Sequence, residues 1–277
     1  QMAARGALPL EPIELATVLF VLANDPEASV KEAARHSLEN LTWHVLSTVL
    51  SGPTHPALLS FMARVHQENE ARCEALALNN STDDQTIAWL ATLPHSRVVD
   101  IISQNQERMM RTEDIVDALG ANPLTGRAVI ERILTFLGLE ERDVEEDIKE
   151  LGEAEAEAAV LELLGEDMAD VAKLLVQDRE SDEEDEDVKI SLYAAVQNMK
   201  EKKKVKLTRM GGKDARAMLI KDRNRIVSAS VLGSPKLTET EVIGFAQNRS
   251  IGEELLRIIA SNRDWTKNYK VKYALVT

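Results

Sequence analysis

The sequence predicts an all-α protein, an α-solenoid of stacked helical hairpins, with two arrays joined by an acidic segment. Three observations lead there. Helix stops recur at near-constant spacing: Pro26 to Pro53 is 27 residues, Pro53 to Ser81 is 28, Pro94 to Pro123 is 29, and Pro235 to Arg263 is 28. That length suits two short helices plus their turns. Apolar residues make up 44% of the chain but aromatics only 4%, which fits an Ala/Leu/Val helical core rather than a sheet. Helix-opening signals are dense, and period-two alternation is scarce.

In the first array, 1–138, the stretch Leu10 to Ala23 has helical spacing through Ile13, Leu15, Ala16, Leu19 and Phe20, and Asn24-Asp25-Pro26 stops it. Ser29-Val30-Lys31-Glu32 reads as a capping box, in which hydroxyl and carboxylate each satisfy a free N–H at the helix start. Ser51-Gly52-Pro53 breaks the chain, and His55-Pro56 opens the next helix, where proline is tolerated in the first turn. Leu58, Leu59, Met62 and Val65, then Cys73, Leu76 and Ala77, continue the apolar stripe to the break at Asn79-Asn80-Ser81. Thr82-Asp83-Asp84-Gln85 reads as a second box, followed by Ile87, Trp89 and Leu90. Leu93-Pro94-His95-Ser96 and Leu119-Gly120-Ala121-Asn122-Pro123 are the remaining stops.

The middle segment, 139–188, holds a charged helix candidate from Glu140 to Gly152 and a clearer one from Glu153 to Gln177, which Gly165 interrupts. From Asp178 to Asp187 no side chain is apolar. Such a run cannot offset the entropy of ordering, so a flexible loop is expected.

In the second array, 189–277, Ile190, Leu192, Tyr193, Val196 and Met199 form an amphipathic helix, followed by the basic run from Lys200 to Arg209. Met210-Gly211-Gly212-Lys213 reads as a stop and turn, with Asp214 as the next cap. Asp222-Arg223-Asn224 turns the chain, and Ile226, Ala229, Val231 and Leu232 make another stripe. Thr238-Glu239-Thr240-Glu241 and Ser250-Ile251-Gly252-Glu253 read as two more boxes, and the last helix carries Tyr269, Val271, Ala274, Leu275 and Val276.

The net charge of −14 is unevenly spread. Residues 1–138 carry 10 basic and 17 acidic side chains, residues 139–188 carry 4 and 22, and residues 189–277 carry 19 and 8. The last segment is therefore +11 beside one of −18. Candidate residues for an anionic partner are Lys202, Lys203, Lys204, Lys206, Arg209, Lys213, Arg216, Lys221, Arg223 and Arg225. Such density suffices for phosphate contacts, but only Tyr193 and Trp265 are placed to stack on bases, which disfavours single-strand recognition. The acidic run is expected to lie against this basic face, because tethering raises the local concentration of one at the other.

No catalytic constellation, cofactor motif or metal set is expected. Gly211-Gly212-Lys213 lacks the frame of a phosphate loop, and Asp214 stands where Ser or Thr would hold magnesium. His66, Glu70 and Cys73 share a helical face, but a structural zinc site needs four ligands, and His44 and His55 have no spacing that joins them. Cys73 is the only cysteine, and no apolar run approaches the roughly 20 residues of a membrane span. A cytoplasmic protein is expected.

The turns Gly233-Ser234-Pro235 and Ser261-Asn262-Arg263, followed by Leu237-Thr238 and Trp265-Thr266, give the second array its family likeness. It resembles HEAT-like and leucine-rich-repeat-variant helical solenoids, and a group of bacterial helical-repeat proteins of the myxobacterial type. The resemblance covers the chain outside the acidic middle. It implies a non-enzymatic scaffold or adaptor that binds a protein partner, with nucleic-acid binding through the basic second array as the alternative. HEAT-like DNA glycosylases would add an acidic residue among aromatics, for which Asp264-Trp265 is the nearest match.

Overall fold

The computed structural model describes residues 3–139, 152–165, 168–177 and 186–276. It is all-helical, with no strand among the described residues. The expected acidic loop, 178–187, falls outside the described residues except for Glu186 and Asp187, whose backbone begins a helix. The charged candidate helix before Gly152 lies outside them too. Packing divides the chain into two compact units, 1–125 and 126–277.

Unit 1 holds nine α-helices among the described residues: α1 (Pro12–Leu22), α2 (Ala28–Glu39), α3 (Trp43–Ser51), α4 (Pro56–Val65), α5 (Glu70–Leu78), α6 (Asp84–Leu90), α7 (Ser96–Gln104), α8 (Gln106–Arg111) and α9 (Glu113–Ala121). Apolar side chains three and four apart face inward, as with Leu46, Val49 and Leu50 of α3 and Leu58, Leu59 and Met62 of α4. Packing alternates along the chain: α3 lies against α1 and α5, α5 also against α7, while α6 lies between α4 and α9.

Two buried asparagines tie neighbouring layers. Asn79, after α5, donates to the carbonyls of Leu50 (2.7 Å) and Gly52 (2.9 Å) at the end of α3 and accepts from the Ser81 N–H. Asn122, after α9, donates to Ala91 (2.7 Å) and Leu93 (2.8 Å) at the end of α6 and accepts from the Leu124 N–H. Three residues later, Thr82 and Thr125 return their hydroxyls to the carbonyls of Leu76 and Leu119. The carbonyls of Leu50, Ala91 and Leu119 gain a side-chain donor in this way, while those of Gly52, Leu93 and Leu76 also accept from the N–H groups of Thr54, His95 and Asn79.

Asp84, in the first turn of α6, is a second tie. It accepts from Arg108, Arg111 and Thr112, and Arg108 also donates to the carbonyls of Thr82, Asn79 and Asn80. These guanidinium and hydroxyl bonds hold the Asp84 carboxyl down at about 2, with the Arg111 bond foremost, against burial that pushes the other way.

Unit 2 contains α10 (Arg127–Leu139), α11 (Glu153–Leu164), α12 (Ala169–Val176), α13 (Glu186–Gln197), α14 (Glu201–Met210), α15 (Lys213–Leu219), α16 (Arg225–Leu232), α17 (Glu239–Gln247), α18 (Glu253–Ser261), α19 (Arg263–Thr266) and α20 (Tyr269–Val276). Gly165 separates α11 from α12 at a positive φ of 103°, a backbone region that favours glycine. Here α11, α14, α16 and α18 pack in succession, α12 lies on α15, and α17 on α20. Residues 226–232 of α16 are all buried, which makes it the central helix of the unit. The outer wall against it is α10.

The helix starts correct three of the four expected capping boxes. Only Thr238–Glu241 forms, with both reciprocal bonds in place. Helix α2 begins before Ser29, whose hydroxyl bonds Glu27 instead. Asp83 rather than Thr82 caps α6, because the Thr82 hydroxyl is engaged with Leu76. Helix α18 is capped by Gly252, so Ser250 stands outside it. Likewise Gly212, not Asp214, precedes α15.

Candidate functional site

The ten basic candidates divide by helical phase. On α14, the inward stripe is Lys204, Val205, Leu207 and Thr208, while Lys203 and Lys206 are exposed and Lys202 and Arg209 half-buried. Lys204 is 4% exposed and bonds Asp222 (3.0 Å) and Glu201 (3.3 Å). Burial alone would lower the Lys204 pKa, but the carboxylates of Asp222 and Glu201 raise it. Glu201 moves up, through burial first and Asp222 second. The Lys203 amine caps the end of α11 through the carbonyl of Leu163 (2.7 Å), a favourable place for a cation.

Arg216 is 1% exposed. Its guanidinium donates to both carboxylate oxygens of Glu241 (2.8 and 3.2 Å) and to the Gly211 carbonyl (2.8 Å). Burial favours protonation of Glu241, yet Arg216 and Thr238 bring its pKa below the usual carboxylate value. Arg225 pairs with Glu254, and burial lowers its own pKa. Lys213 opens α15 and is exposed, as are Lys221 and Arg223 in the following turn.

Lys221, Arg223 and Arg225 come together at a cleft of about 800 Å³ between α10, α16 and α18. Its wall includes Arg127 and Ile130 from α10, Ser228 and Ala229 from α16, and Glu253, Leu255, Arg257 and Ile258 from α18. The other candidates do not line it. Sequence reasoning missed Arg127 and Arg257 because they lie far outside the basic run. The carboxylates of the cleft have cations already: Asp222 holds Lys204, Glu253 holds Arg257 (2.7 Å), and Glu254 holds Arg225. Arg127 pairs with Glu131 (2.6 Å) and donates to Ser261 (3.0 Å). Lys221 and Arg223 have no carboxylate partner among the described residues.

The glycine pair 211–212 serves backbone packing. The Gly212 N–H donates to Leu175 at the end of α12 (2.7 Å), and a Cβ there would lie 2.7 Å from the Gln177 carbonyl oxygen. Cys73 is buried against the carbonyls of His66 and Gln67, and burial pushes its thiol up to about 11, with Glu70 adding to the shift. Arg72 donates to His66 Nδ1, which places the imidazole proton on Nε2. No group of three or more His, Cys, Asp or Glu suited to a metal occurs among the described residues. No helix among them is long and apolar enough to cross a membrane. Asp264 is exposed and paired with Lys267, and Trp265 is half-buried.

Compared with family models, curated proteins and solved structures, the chain matches none.

Proposed function

We propose that the chain is a non-enzymatic scaffold of HEAT-like helical hairpins, one short α-solenoid per unit, that binds a protein partner. The observation that carries this reading is a ladder of bonds between places one hairpin apart. Side-chain bonds from Asn79, His95, Arg111, Asn122, Lys236 and Asn268, and the bond from the Arg97 N–H to the Glu70 carboxylate, all span 26 to 31 residues. Alternating helix contacts accompany them in both units. Stacked hairpins of this kind offer an extended binding surface and fold through nearest-neighbour contacts.

The placement of the cations supports a protein over a nucleic acid. Lys204, Arg216 and Arg225, three of the ten candidates, are held by carboxylates of their own segment. The test is purification of the tagged full chain from its host, cross-linked, with and without nuclease. A protein retained equally under both conditions is the expected result. Retention abolished by nuclease would replace this reading with nucleic-acid binding, and retention of nothing would remove both.

A further inference from the structure

The cleft of unit 2 has a specific charge logic. Three carboxylates and five cations line it. Every carboxylate is already engaged, so none is left to attract a basic ligand, whereas Lys221 and Arg223 are exposed without a carboxylate among the described residues. Ile130, Ile220, Ala229 and Leu255 of the wall are buried within the unit, while Ile258 stays half-buried at the surface. Little apolar area is left to cover, so recognition there rests on charge.

The size fits a peptide. A helix about 10–12 Å across that rises 1.5 Å per residue occupies on the order of 120–170 Å³ per residue, so the roughly 800 Å³ holds about five to seven residues. A single phosphate would leave most of that volume unfilled. A duplex read through its backbone typically uses about 6–10 phosphate contacts, and this cleft offers two uncommitted cations.

We propose that the cleft between α10, α16 and α18 binds a short acidic segment of a protein partner, with Lys221 and Arg223 as the recognising cations. This rests on the protein-binding reading above. The bound carboxylates meet Lys221 and Arg223, and one apolar side chain of the segment covers Ile258. Affinity is salt-dependent, because both cations stand at the solvent boundary.

The full chain is immobilised and panned against a random 12-residue phage-displayed peptide library. Enriched peptides are resynthesised and measured by fluorescence anisotropy against the chain, against Lys221→Glu/Arg223→Glu, and against Lys270→Glu/Lys272→Glu. The latter pair is exposed on α20, does not line the cleft, and changes net charge equally. All four side chains are exposed, so both variants should fold. Enriched peptides should carry more Asp and Glu than Lys and Arg. Turning two attractions into repulsions should weaken their binding about tenfold or more in the first variant only.

Enrichment of neutral or basic peptides overturns the proposal, as does no enrichment. Equal loss in both variants shows a net-charge effect and overturns it too. Acidic peptides that bind all three chains alike remove the cleft as the site but leave the scaffold reading standing. Failure of the scaffold reading is seen separately, in the cross-linked purification. Binding that 20-residue duplex DNA displaces, while the DNA itself binds more tightly than any peptide, overturns the proposal in favour of phosphate recognition.

Discussion

Replacing Arg216 with Met tests whether this cation holds the fold or waits for a ligand. The substitution keeps much of the volume but strands Glu241, whose residue is 6% exposed and whose carboxylate, among the described residues, otherwise accepts only from Thr238. Breaking a buried ion pair from one side costs about 3–5 kcal/mol. In a unit of this size, with about 2–4 °C of melting temperature per kcal/mol, the loss is about 10 °C. The assay is urea unfolding followed by Trp265, the tryptophan of unit 2, in a Trp43→Phe/Trp89→Phe background. Adding Glu241→Gln removes the stranded charge but keeps an N3 side chain able to complete the capping box, so the double variant should recover stability. Burial would raise the Glu241 pKa, and the bonds from Arg216 and Thr238 overcome it to leave the net value lowered. Its contribution is therefore present above the unfolded carboxylate pKa and lost as pH falls through the folded one. A loss under about 1 kcal/mol for Arg216→Met, or no recovery with Glu241→Gln, would refute the structural role.

Asn79→Ala and Asn122→Ala should each cost about 1–3 kcal/mol in urea unfolding, since each orphans one carbonyl, that of Leu50 or Ala91, and one N–H, while Gly52 and Leu93 keep the N–H groups of Thr54 and His95; Asn24→Ala, exposed and bonded only to Phe20 four residues earlier, should be near neutral. Gly212→Ala pushes a Cβ into two backbone oxygens 2.7 and 2.8 Å away, and should cost about 1–3 kcal/mol by the same measurement. Burial, then Arg72, lowers the His66 pKa from its ordinary 6.5 to about 4. The unfolded chain thus binds the extra proton between those values, so stability is full above about pH 6.5 and falls by up to about 3 kcal/mol on acidifying to pH 4; His66→Leu should flatten that stretch of the stability–pH profile. Asp84, held at about 2, keeps its contribution above its ordinary 3.8 and loses it below, so Asp84→Asn should remove a further step at more acid pH.

The turns were legible because Pro, Gly and Asn punctuate them chemically. Pro56 opens α4, Met210-Gly211-Gly212 ends α14, and Gly165 parts α11 from α12 as their sequence signals require. The caps were less legible, because adjacent Thr82 and Asp83 both have capping oxygens and only the fold decides which is engaged elsewhere. Lys204 could have been separated from Lys203 by phase alone, since it shares a stripe with Val205, Leu207 and Thr208. Arg216 likewise sits with Ala215 and Leu219. Their partners Asp222 and Glu241 lie 18 and 25 residues away, beyond any local rule. The Asn-x-x-Thr pattern at Asn79–Thr82 and Asn122–Thr125 was in plain sight. What gives it meaning is the pair of carbonyls brought to each asparagine from the end of α3 or α6.

The uneven charge of residues 189–277 acquires a physical reason from these pairings. Of the eight carboxylates in 189–277, Glu201, Asp222, Glu241, Glu253, Glu254 and Asp264 are ion-paired within that segment, and Glu239 accepts from Asn268. Anions there are used to neutralise cations that the helical phase carries inward or that neighbour them on a helix. The surplus of basic residues is left to the surface, with exposed members at Lys203 on α14, at Lys221 and Arg223 in the next turn, and at Lys270 and Lys272 on α20. A duplex would reward cations in one unbroken track, because each released counterion adds to affinity. An acidic protein segment needs only a local pair beside a cleft, and Lys221 and Arg223 meet that requirement.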